Sequence, residues 1–379
     1  SSGITTKIQA HYMKILFVVC GEGLGHASRS LHLGHYLQQE GHTVHFAGYG
    51  KSYDFMNQHG CTALHRIHRE VCLEGENGFF NMKRTLWHSK FLIFDILWSA
   101  FNVWRILHRN QYDCVVCDTM YGGVLAARLH GIPGVFITNQ NHFNEPDGSI
   151  NPAWVLMNLL VRRYLHLANH VIVPDYPAPD TVSTYNLRII PRERSRYSFT
   201  GPFYQFDPDR YTYGNKTIFT SFGGEPYKLP MYRMLRSIAD RRKDLIFDVF
   251  YTGPALPGSS DNFLSHGYVP NLYEHLALAK IAIVHGGLTT LHEALIFEKP
   301  VLIIMDKGHP EQMNNAKKIV DMGAGTVVDG RDLTPEMLEQ KIAETMALAP
   351  KPFRATHAGI NGRKNAADII LALAARRKR

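Results

Sequence analysis

The chain has 379 residues, of which 45% are hydrophobic, with five cysteines and a formal net charge of +8. This length exceeds one compact domain, and an odd number of irregularly placed cysteines excludes a disulfide framework and indicates reduced thiols in a cytoplasmic protein. The positive charge implies anionic partners, but no base-stacking or groove-reading motif accompanies it, so we expect no nucleic-acid partner.

The first predicted element is the apolar run from Met13 to Val19, which indicates a buried strand. A glycine loop, Cys20 to His26, follows it and leads into a helix through Leu37. The loop glycines are spaced G-x-G-x-G, whereas dinucleotide-binding loops read G-x-G-x-x-G with an acid about 20 residues further on. The next predicted strand, Thr43 to Ala47, is followed by no such acid. We therefore expect no nicotinamide or flavin cofactor.

His26 closes this loop and is the candidate catalytic residue. An imidazole at the mouth of a strand can act as the general base that deprotonates an acceptor hydroxyl. Such a base needs an orienting partner, and Asp118 follows the predicted strand over 113–117. Because the carboxyl ends of parallel strands meet at one edge of a sheet, the two side chains should lie close together. The alternative role for Asp118 is to cap the following helix.

The same strand carries Cys114 and Cys117 in a spacing that superficially suggests a metal or redox motif. Residues three apart in a strand point to opposite faces, which prevents them from binding one ion. We predict that both are reduced core thiols and that the protein binds no metal.

The segment 86–107 is rich in aromatic residues but has no uncharged stretch long enough to cross a bilayer. It contains Trp87, Phe91, Phe94, Trp98, Phe101 and Trp104, and is flanked or interrupted by Lys83, Arg84, Lys90, Arg105 and Arg109. This pattern suits a segment lying in the headgroup region of an anionic membrane, which would place the protein at the inner face of the cell membrane. The basic residues Arg188, Arg192, Arg194 and Arg196 and the tail 376–379 favour the same surface. The alternative is a buried helix, or pair of helices, of the first domain.

A polar loop follows the next predicted strand, 134–137. It contains Asn139, Gln140 and Asn141, and the polarity usual for a surface loop would by itself explain these residues.

The second half opens on another strand pattern at Thr217, which leads into a second glycine loop containing Ser221, Gly223 and Gly224. Two strand-loop-helix halves, each led by glycine, predict an α/β fold of two Rossmann-like domains. The Gly-, Pro-, Asp- and Tyr-rich stretch 201–214 between them is the predicted linker.

The largest cluster of candidate ligand-binding residues follows the predicted strand 281–284. Gly286 and Gly287, which come after His285, let the backbone turn tightly and approach a ligand closely. Thr289 and Thr290 lie in the first turn of the next helix. Amide groups, hydroxyls and the helix dipole there suit a diphosphate without any metal ion.

Three further polar residues complete this cluster. Glu293 lies one turn beyond the threonines on their helix face, where a carboxylate can accept hydrogen bonds from both ribose hydroxyls. Glu311 and Gln312 follow the predicted strand 301–305, and an acid beside an amide can bind several sugar hydroxyls.

In order and spacing, this region is similar to the donor-binding region of the metal-independent inverting glycosyltransferases with the GT-B fold. These include UDP-sugar transferases that act on small acceptors and MurG-like enzymes of cell-wall lipid intermediates. The resemblance covers most of residues 215–330. It implies that His285, Gly286, Gly287 and Thr290 contact the diphosphate, that Glu293 binds the ribose, and that Glu311 and Gln312 hold the sugar.

The resemblance also assigns the glycine loops. Tyr268 and Val269, within 267–270, match the place where the uracil is bound through main-chain groups. Ser221, Gly223 and Gly224 match a loop that faces the diphosphate across the cleft, and His26, between Gly23, Gly25 and the helix, matches the proposed base. The loop 137–142 resembles the acceptor-side loop of the MurG-like enzymes, which implies acceptor contacts for Asn139, Gln140 and Asn141, although the chain has Thr138-Asn139 where those enzymes typically have His-Glu.

From these motifs we predict a GT-B architecture with an acceptor-binding domain over 13–200, the linker 201–214, a nucleotide-sugar-binding domain over 215–354 and a final helical segment, 355–379, that packs back on the first domain. The predicted activity is inverting transfer of N-acetylglucosamine, or a related sugar, from a UDP-sugar to a lipid-linked or other membrane-proximal acceptor, without cofactor or metal. The alternatives are a non-hydrolysing UDP-sugar 2-epimerase and a catalytically silent UDP-sugar-binding subunit.

Overall fold

The structure is a computed structural model. It describes residues 12–70, 75–76, 79–80, 91–144, 149, 152–204, 207–222, 228–251, 258–267, 269, 271–305 and 309–377.

The first half of the chain is built on a seven-stranded parallel sheet. The strands are β1 (Lys14–Val19), β2 (Thr43–Gly48), β3 (Leu64–Arg66), β4 (Gly75–Glu76), β5 (Phe79–Phe80), β6 (Cys114–Asp118), β7 (Gly134–Ile137), β8 (His170–Val173) and β9 (Tyr197–Phe199). The parallel sheet has the spatial order β3-β2-β1-β6-β7-β8-β9, and β4 and β5 pair with each other as an antiparallel ribbon.

The second half is built on a six-stranded parallel sheet of the same kind. The strands are β10 (Thr217–Ser221), β11 (Phe247–Phe250), β12 (Phe263–His266), β13 (Ala279–Val284), β14 (Val301–Met305) and β15 (Gly325–Asp329). Their spatial order is β12-β11-β10-β13-β14-β15, and every neighbouring pair is parallel.

Helices connect the strands and cover the sheets. They are α1 (Leu24–Gln39), α2 (Gly50–Gln58), α3 (Leu92–Arg109), α4 (Tyr121–Leu129), α5 (Pro152–Leu165), α6 (Leu229–Arg241), α7 (Tyr273–Leu278), α8 (Leu288–Ile296), α9 (Pro310–Asp321), α10 (Pro335–Met346), α11 (Phe353–His357) and α12 (Gly362–Arg377). Short 3-10 turns lie at Thr184–Asn186, Pro191–Arg196 and Pro208–Arg210.

Alternate residues of β1 enter two different cores. Ile15, Phe17 and Val19 pack with side chains of α1 and α12, whereas Leu16 and Val18 pack with side chains of α3, α4 and α5. A parallel sheet covered on both faces reads in sequence as continuous apolar runs, which is how these strands could be recognised. The predicted α/β fold with two parallel sheets is confirmed.

The cysteines of β6 follow the same alternation. Cys114 packs in the core beside α1, and Cys117 packs in the core on the other face of the sheet. The prediction that these thiols point apart is confirmed. Cys20 and Cys61 are also free, and Cys72 lies outside the described residues.

The last helix returns to the first half of the molecule. Ala366, Ala367 and Ile370 of α12 are buried in the same core as Phe17 and Leu33. The helix extends beyond the predicted 365–375 to Gly362 at its start and to Arg377 at its end.

Helix α3 is buried on one side and exposed on the other, so it lies between the two alternatives predicted for the aromatic segment. One side, with Ile96, Ala100 and Val103, is buried against the first sheet. The opposite side exposes aromatic residues, including Phe94 at 70% and Trp98 at 58% exposure. Residues 81–90, which include Trp87, lie outside the described residues. Among the helices described, none is both long and apolar enough to cross a bilayer.

One of the predicted anion-binding arginines has a structural role instead. Nη2 of Arg196 donates hydrogen bonds to the carbonyls of Leu165, His166 and Ala168 at the end of α5. These carbonyls have no partner within the helix, so the guanidinium caps its carboxyl end. Sequence alone could not separate Arg196 from exposed Arg192 and Arg194.

Candidate active site

The loop after β1 and the end of β6 bring His26 and Asp118 together. Val19 of β1 pairs in register with Asp118, so the glycine loop leaves the sheet beside this carboxylate. Nδ1 of His26 donates a hydrogen bond of 2.8 Å to Oδ1 of Asp118. The tautomer that makes this bond leaves Nε2 as a proton acceptor, and the His26 side chain is 25% exposed. The arrangement is suited to a general base with an orienting carboxylate.

Asp118 is fully buried and ionised. Burial raises the pKa of its carboxyl, but the charges of Arg29 and His26 outweigh burial and hold the pKa well below its usual range. Ser30 Oγ donates a hydrogen bond of 3.0 Å to Oδ2. The amides at the start of α4 bind Glu70 rather than Asp118, so the helix-cap interpretation of Asp118 was wrong.

Arg29 is a member of this cluster that sequence reasoning missed. Its Nε donates to Oδ2 of Asp118 over 2.6 Å, and its Nη2 donates to Oδ1. Its position three residues after His26 places both side chains on one face of α1. That spacing is the only signal in the sequence, because the partner carboxylate lies on a distant strand.

The side chains of the polar loop after β7 point in different directions, some into the cleft and some into the first half. Asn139 Oδ1 accepts from Arg29, and Asn139 Nδ2 donates to Oε1 of Glu311 over 2.7 Å, across to the second half. Asn141 binds the main chain of Arg188 and the hydroxyl of Tyr197, so both ends of its amide serve the scaffold of the first half. Gln140 packs in the turn, where Nε2 is buried without a hydrogen-bond partner among the residues described.

On the opposite side of the cleft, β13 ends at the predicted His285-Gly286-Gly287 turn. Gly286 has φ 88°, a left-handed conformation that favours glycine, and Gly287 is the N-cap residue of α8. Burial and the charge of Lys228 lower the pKa of His285 to about 3, so the imidazole is neutral at physiological pH. Its Nδ1 is buried with no hydrogen-bond partner within the described part of the chain. The main chain of Ser221, at the end of β10, hydrogen-bonds to the same ring.

The first turn of α8 faces the glycine loop of the first half. A Cβ placed on Gly25 would lie 3.5 Å from Oγ1 of Thr289, so the two elements are almost in contact. Glu293 lies one turn further along α8 and accepts a hydrogen bond of 3.3 Å from the hydroxyl of Tyr273. Burial raises the pKa of Glu293 to about 7. Thr290 is half-buried in the same turn.

The acid-amide pair lies at the start of α9. His309 caps this helix, and Glu311 occupies its first turn. Glu311 points toward the first half, where Asn139 donates to it, and the Oε1 atom of Gln312 is buried without a partner among the described residues.

A cavity lies between the two halves, and of the groups described above it is lined by Arg29, Tyr273, Thr289 and Glu293. It is lined by Ser28 and Arg29 of α1 on one side and by Thr289, His292 and Glu293 of α8 on the other. Gly23 lies at the N-cap of α1 with φ 77°. Val269 packs against the core of the second half. The predicted site residues Gly223, Gly224 and Tyr268 lie outside the described residues.

One group within the described residues brings three metal-ligating side chains together. Ligand atoms of Asp248 in β11, His266 at the end of β12 and His275 on α7 all lie within 4.8 Å of one another. Each histidine hydrogen-bonds to a different oxygen of Asp248, at 2.6 and 2.7 Å. These bonds brace α7 and the strand that leads into Gly267, and the prediction of no metal stays a prediction.

Two family models match the chain. One described as "Glycosyltransferase family 28 C-terminal domain" matches residues 252–370, and one described as "Glycosyl transferase family 1" matches residues 13–186. An uncharacterized glycosyltransferase of Methanosarcina mazei is 30% identical over 350 residues, covering 88% of this chain and 90% of the relative. One from Methanosarcina acetivorans has the same identity and coverage.

A more distant relative is named for its substrates. It is the UDP-N-acetylglucosamine--N-acetylmuramyl-(pentapeptide) pyrophosphoryl-undecaprenol N-acetylglucosamine transferase of Thermosipho africanus. It is 29% identical over 109 residues, which cover 28% of this chain and 33% of the relative.

Solved structures of glycosyltransferases share the whole architecture. The glycotransferase of kitacinnamycin superposes with a TM-score of 0.68 at 17% identity, covering 96% of this chain and 99% of that one. MurG of Acinetobacter baumannii gives 0.62 at 17% identity, with 95% and 99% coverage. LpCGTa, solved in complex with UDP, gives 0.67 at 14% identity, with 96% and 99% coverage. At these identities the likeness shows the fold.

Proposed function

Because the chain belongs to the glycosyltransferases with the GT-B fold, we propose that it transfers a sugar from a UDP-sugar to a lipid-linked or membrane-proximal acceptor. The proposed sugar is N-acetylglucosamine or a close relative, and the reaction inverts the anomeric carbon. One observation carries this proposal: the start of α1, which bears the imidazole paired with Asp118, lies against the first turn of α8, where a Cβ on Gly25 would be 3.5 Å from Oγ1 of Thr289.

In the proposed reaction, Nε2 of His26 takes the proton of the acceptor hydroxyl. The freed oxygen attacks the anomeric carbon from the face opposite UDP and forms the new glycosidic bond. The bond between that carbon and the diphosphate oxygen breaks, and its electron pair leaves with UDP. Asp118 stabilises the imidazolium that results, as a buried and ionised partner of Nδ1.

The leaving diphosphate has to be stabilised without a resident cation in this proposal. The main-chain amides of the Gly286-Gly287 turn and of the first turn of α8 supply dipoles directed at that charge. His285 carries one N–H and no charge at pH 7, and it donates to the diphosphate in the tautomer that places this N–H on the unpartnered Nδ1 rather than on the nitrogen that faces the main chain of Ser221. These groups of the turn support the proposal that no metal ion is needed.

The donor assignment draws on contacts and on relatives. Glu293 and Tyr273 form a polar wall of the cavity that suits a ribose, and Glu311 lies near the acceptor-side Asn139, where a transferred sugar would sit. One relative is named for UDP-N-acetylglucosamine, and one structural neighbour was solved with UDP. These observations favour UDP-N-acetylglucosamine as the first donor to test.

The acceptor assignment draws on an exposed apolar face of the first half. We define this apolar face as Phe94, Leu97, Trp98 and Phe101 of α3 with Leu156 and Leu159 of α5, all exposed. Helices α3, α4 and α5 pack on the same side of the first sheet, so these side chains lie on the outside of one layer. Exposed Arg105, Arg109, Arg128 and Arg163 accompany them. Apolar groups with arginines around them suit the headgroup region of an anionic bilayer.

The test is a transfer assay with defined substrates. UDP-, dTDP- and GDP-sugars are first compared by thermal shift, and the best donor is then incubated with polyprenyl phosphate and polyprenyl diphosphate sugars in vesicles. Mass spectrometry detects the product, and proton NMR of its anomeric signal shows inversion or retention. We expect turnover with a UDP-sugar in the presence of excess chelator. Loss of activity that magnesium restores would contradict metal independence.

Each competing activity gives a different result in the same assay. Conversion of UDP-N-acetylglucosamine to its epimer without any acceptor would indicate a 2-epimerase. Binding of UDP with neither transfer nor hydrolysis would indicate a silent binding subunit. Failure of every uridine nucleotide to bind would remove the proposal as a whole.

A further inference from the structure

We propose that Arg29 is a positioning residue that fixes the His26–Asp118 pair and links it, through Asn139, to Glu311 on the other side of the cleft. This inference rests on the proposed function, in which His26 is the base and Glu311 holds the sugar.

The first step is the way in which Arg29 holds Asp118. Nε and Nη2 of the guanidinium donate to the two different carboxylate oxygens, so the plane of the carboxylate is fixed at both ends. Ser30 and Thr119 add hydroxyl hydrogen bonds of 3.0 and 3.3 Å to the same group. With its plane fixed, Oδ1 of Asp118 is presented to Nδ1 of His26. A lysine at position 29 has a single nitrogen and cannot span both oxygens.

The second step concerns charge around the imidazole. Nη2 of Arg29 lies 3.0 Å from Nδ1 of His26, so the guanidinium opposes a positive charge on the ring while Asp118 favours it. Glu311 adds a negative charge that also acts on Arg29. Arg29 therefore stabilises the ionised form of Asp118, and the positive charge of its guanidinium offsets part of the effect that this anion has on His26.

The third step is the connection across the cleft. Nη1 of Arg29 donates to Oδ1 of Asn139 over 3.2 Å, and Nδ2 of Asn139 donates to Oε1 of Glu311 over 2.7 Å. Each bond requires the same orientation of the Asn139 amide, so the two contacts agree with each other. Asn139 is 6% exposed, which protects these bonds from competing water. Five side chains thus form a continuous path from the base to the sugar-binding acid.

The substitution that tests positioning is Arg29→Lys, which keeps the charge and loses the two-point contact. We expect kcat to fall about 10- to 100-fold while UDP affinity, measured by calorimetry, stays within about twofold of the wild type. Arg66→Lys is the matched control, because Arg66 is 70% exposed on the first half, and it should leave both quantities unchanged. A variant Arg29→Lys with wild-type kcat would overturn the positioning role.

A double-mutant cycle tests the link across the cleft. If Asn139 joins the two sites, the variant that combines Arg29→Lys with Glu311→Gln should lose less activity than the product of the two single effects predicts. Its kcat/KM should be at least fivefold higher than that product. The coupling should disappear when the cycle is repeated in an Asn139→Ala background. Effects that simply multiply in an active enzyme would refute the link.

A readout without substrate separates this inference from the proposed function. Long-range proton–nitrogen NMR of histidine-labelled protein shows which ring nitrogen of His26 carries the proton, and His26→Gln assigns the signals. We expect the proton on Nδ1 in the wild type and a mixture of tautomers in Arg29→Lys. If the wild type transfers no sugar, the proposed function fails, yet this spectrum still decides the role of Arg29. An unchanged tautomer in Arg29→Lys would overturn that role.

Discussion

Removal of the His26 imidazole tests the reaction at the scale of one residue. The ring contacts Asp118 of the first half, and its side chain is 25% exposed. His26→Ala should therefore lower kcat about 100- to 10,000-fold, the usual contribution of a general base. The affinity for UDP should stay within about twofold of the wild type.

The comparison needs kinetics and binding on the same preparations. Turnover is measured with the donor and acceptor chosen by the transfer assay, and UDP binding is measured by calorimetry. His59→Ala, at the exposed end of α2, is the control for the loss of a histidine as such. Full activity in His26→Ala would exclude this residue as the base.

Glu293 gives the donor site a pH dependence with a defined sign. Burial raises its pKa to about 7, so the acid passes from mostly protonated to mostly ionised between pH 6 and pH 8. The ionised form can accept from two ribose hydroxyls, whereas the neutral acid has one fewer acceptor. UDP-N-acetylglucosamine should therefore bind about fivefold more tightly at pH 8 than at pH 6. His285, with a pKa of about 3, does not titrate in this range.

The variant Glu293→Gln should bind this donor more weakly at pH 8 and show little change with pH. A UDP-sugar is the appropriate ligand, because its two phosphates stay ionised throughout the range, whereas the terminal phosphate of free UDP titrates. Glu336→Gln, on a glutamate that is 74% exposed, is the matched control. A slope with pH that survives in Glu293→Gln would assign the effect to another group.

At the scale of the element, the stability of α4 depends on a buried acid. Glu70 is 2% exposed and accepts hydrogen bonds from the amides of Tyr121 and Gly122, at the start of α4. Burial nevertheless raises its pKa from 4.5 to about 7. Folding therefore favours the protonated acid, so its contribution to stability is fully present below about pH 4.5 and is lost as the pH rises through 7.

The free energy of unfolding of the first half should fall between pH 5 and pH 8 by up to about 3 kcal/mol from this group. Glu70→Gln cannot ionise and should reduce that fall by roughly 2 kcal/mol, while losing about 1 kcal/mol of capping at pH 5. Urea unfolding followed by tryptophan fluorescence reports on the first half, because all four tryptophans, at 87, 98, 104 and 154, belong to it. Glu40→Gln is the exposed control on α1, and an identical pH slope in Glu70→Gln would contradict the assignment.

The elements around the cleft could be predicted because each has a recognisable pattern within a short stretch of sequence. Apolar runs such as 301–305 become buried strands of parallel sheets, and glycine after a strand indicates a turn that a ligand can approach. The polarity of a loop does not say which way each side chain points, so Asn139 and Asn141 looked equivalent. In the fold, one faces the cleft and the other braces Arg188.

At the scale of the whole molecule, the contacts that complete the site join residues far apart in the chain. Arg29 meets Asp118 across 89 positions, and Asn139 meets Glu311 across 172. The first pair depends on β1 and β6 lying side by side in one sheet, and the second on how the two sheets face each other, and no local pattern encodes either. For the same reason, sequence could not show that α3 buries one side and exposes the other.

A further tie between the halves is the buried pair of Asp175 and His292. Nε2 of His292 on α8 lies 2.8 Å from Oδ1 of Asp175, which follows β8 and also accepts from the amides of Val182 and Ser183. The neighbouring Asn186 donates to Asn315 of α9 over 2.8 Å. The segment between β8 and β9 thus holds α8 and α9 against the first half, which sets the distance between His26 and the Gly286-Gly287 turn.

The proposed contact with a membrane can be tested on the apolar face of α3 and α5. Phe94 and Trp98 are 70% and 58% exposed, so replacing both by serine should leave the core intact. Each buries an aromatic ring in the headgroup region in the bound state, and loss of two such rings should weaken vesicle binding at least about tenfold. Co-sedimentation with vesicles of phosphatidylglycerol and phosphatidylcholine measures this change. Met337→Ser, on a methionine 47% exposed on α10 of the second half, is the control for removing an exposed apolar side chain.

Two further measurements distinguish a specific orientation on the membrane from nonspecific hydrophobic adsorption. Because arginines accompany the apolar face, affinity should fall as salt rises and as phosphatidylglycerol is replaced by the neutral lipid. The double serine variant should keep wild-type turnover on a short, water-soluble acceptor and lose turnover on a polyprenyl acceptor in vesicles. That split would place the acceptor at the lipid surface, since the cleft itself is unaltered. Equal vesicle binding by the variant and the wild type would instead assign the exposed rings of α3 to another partner.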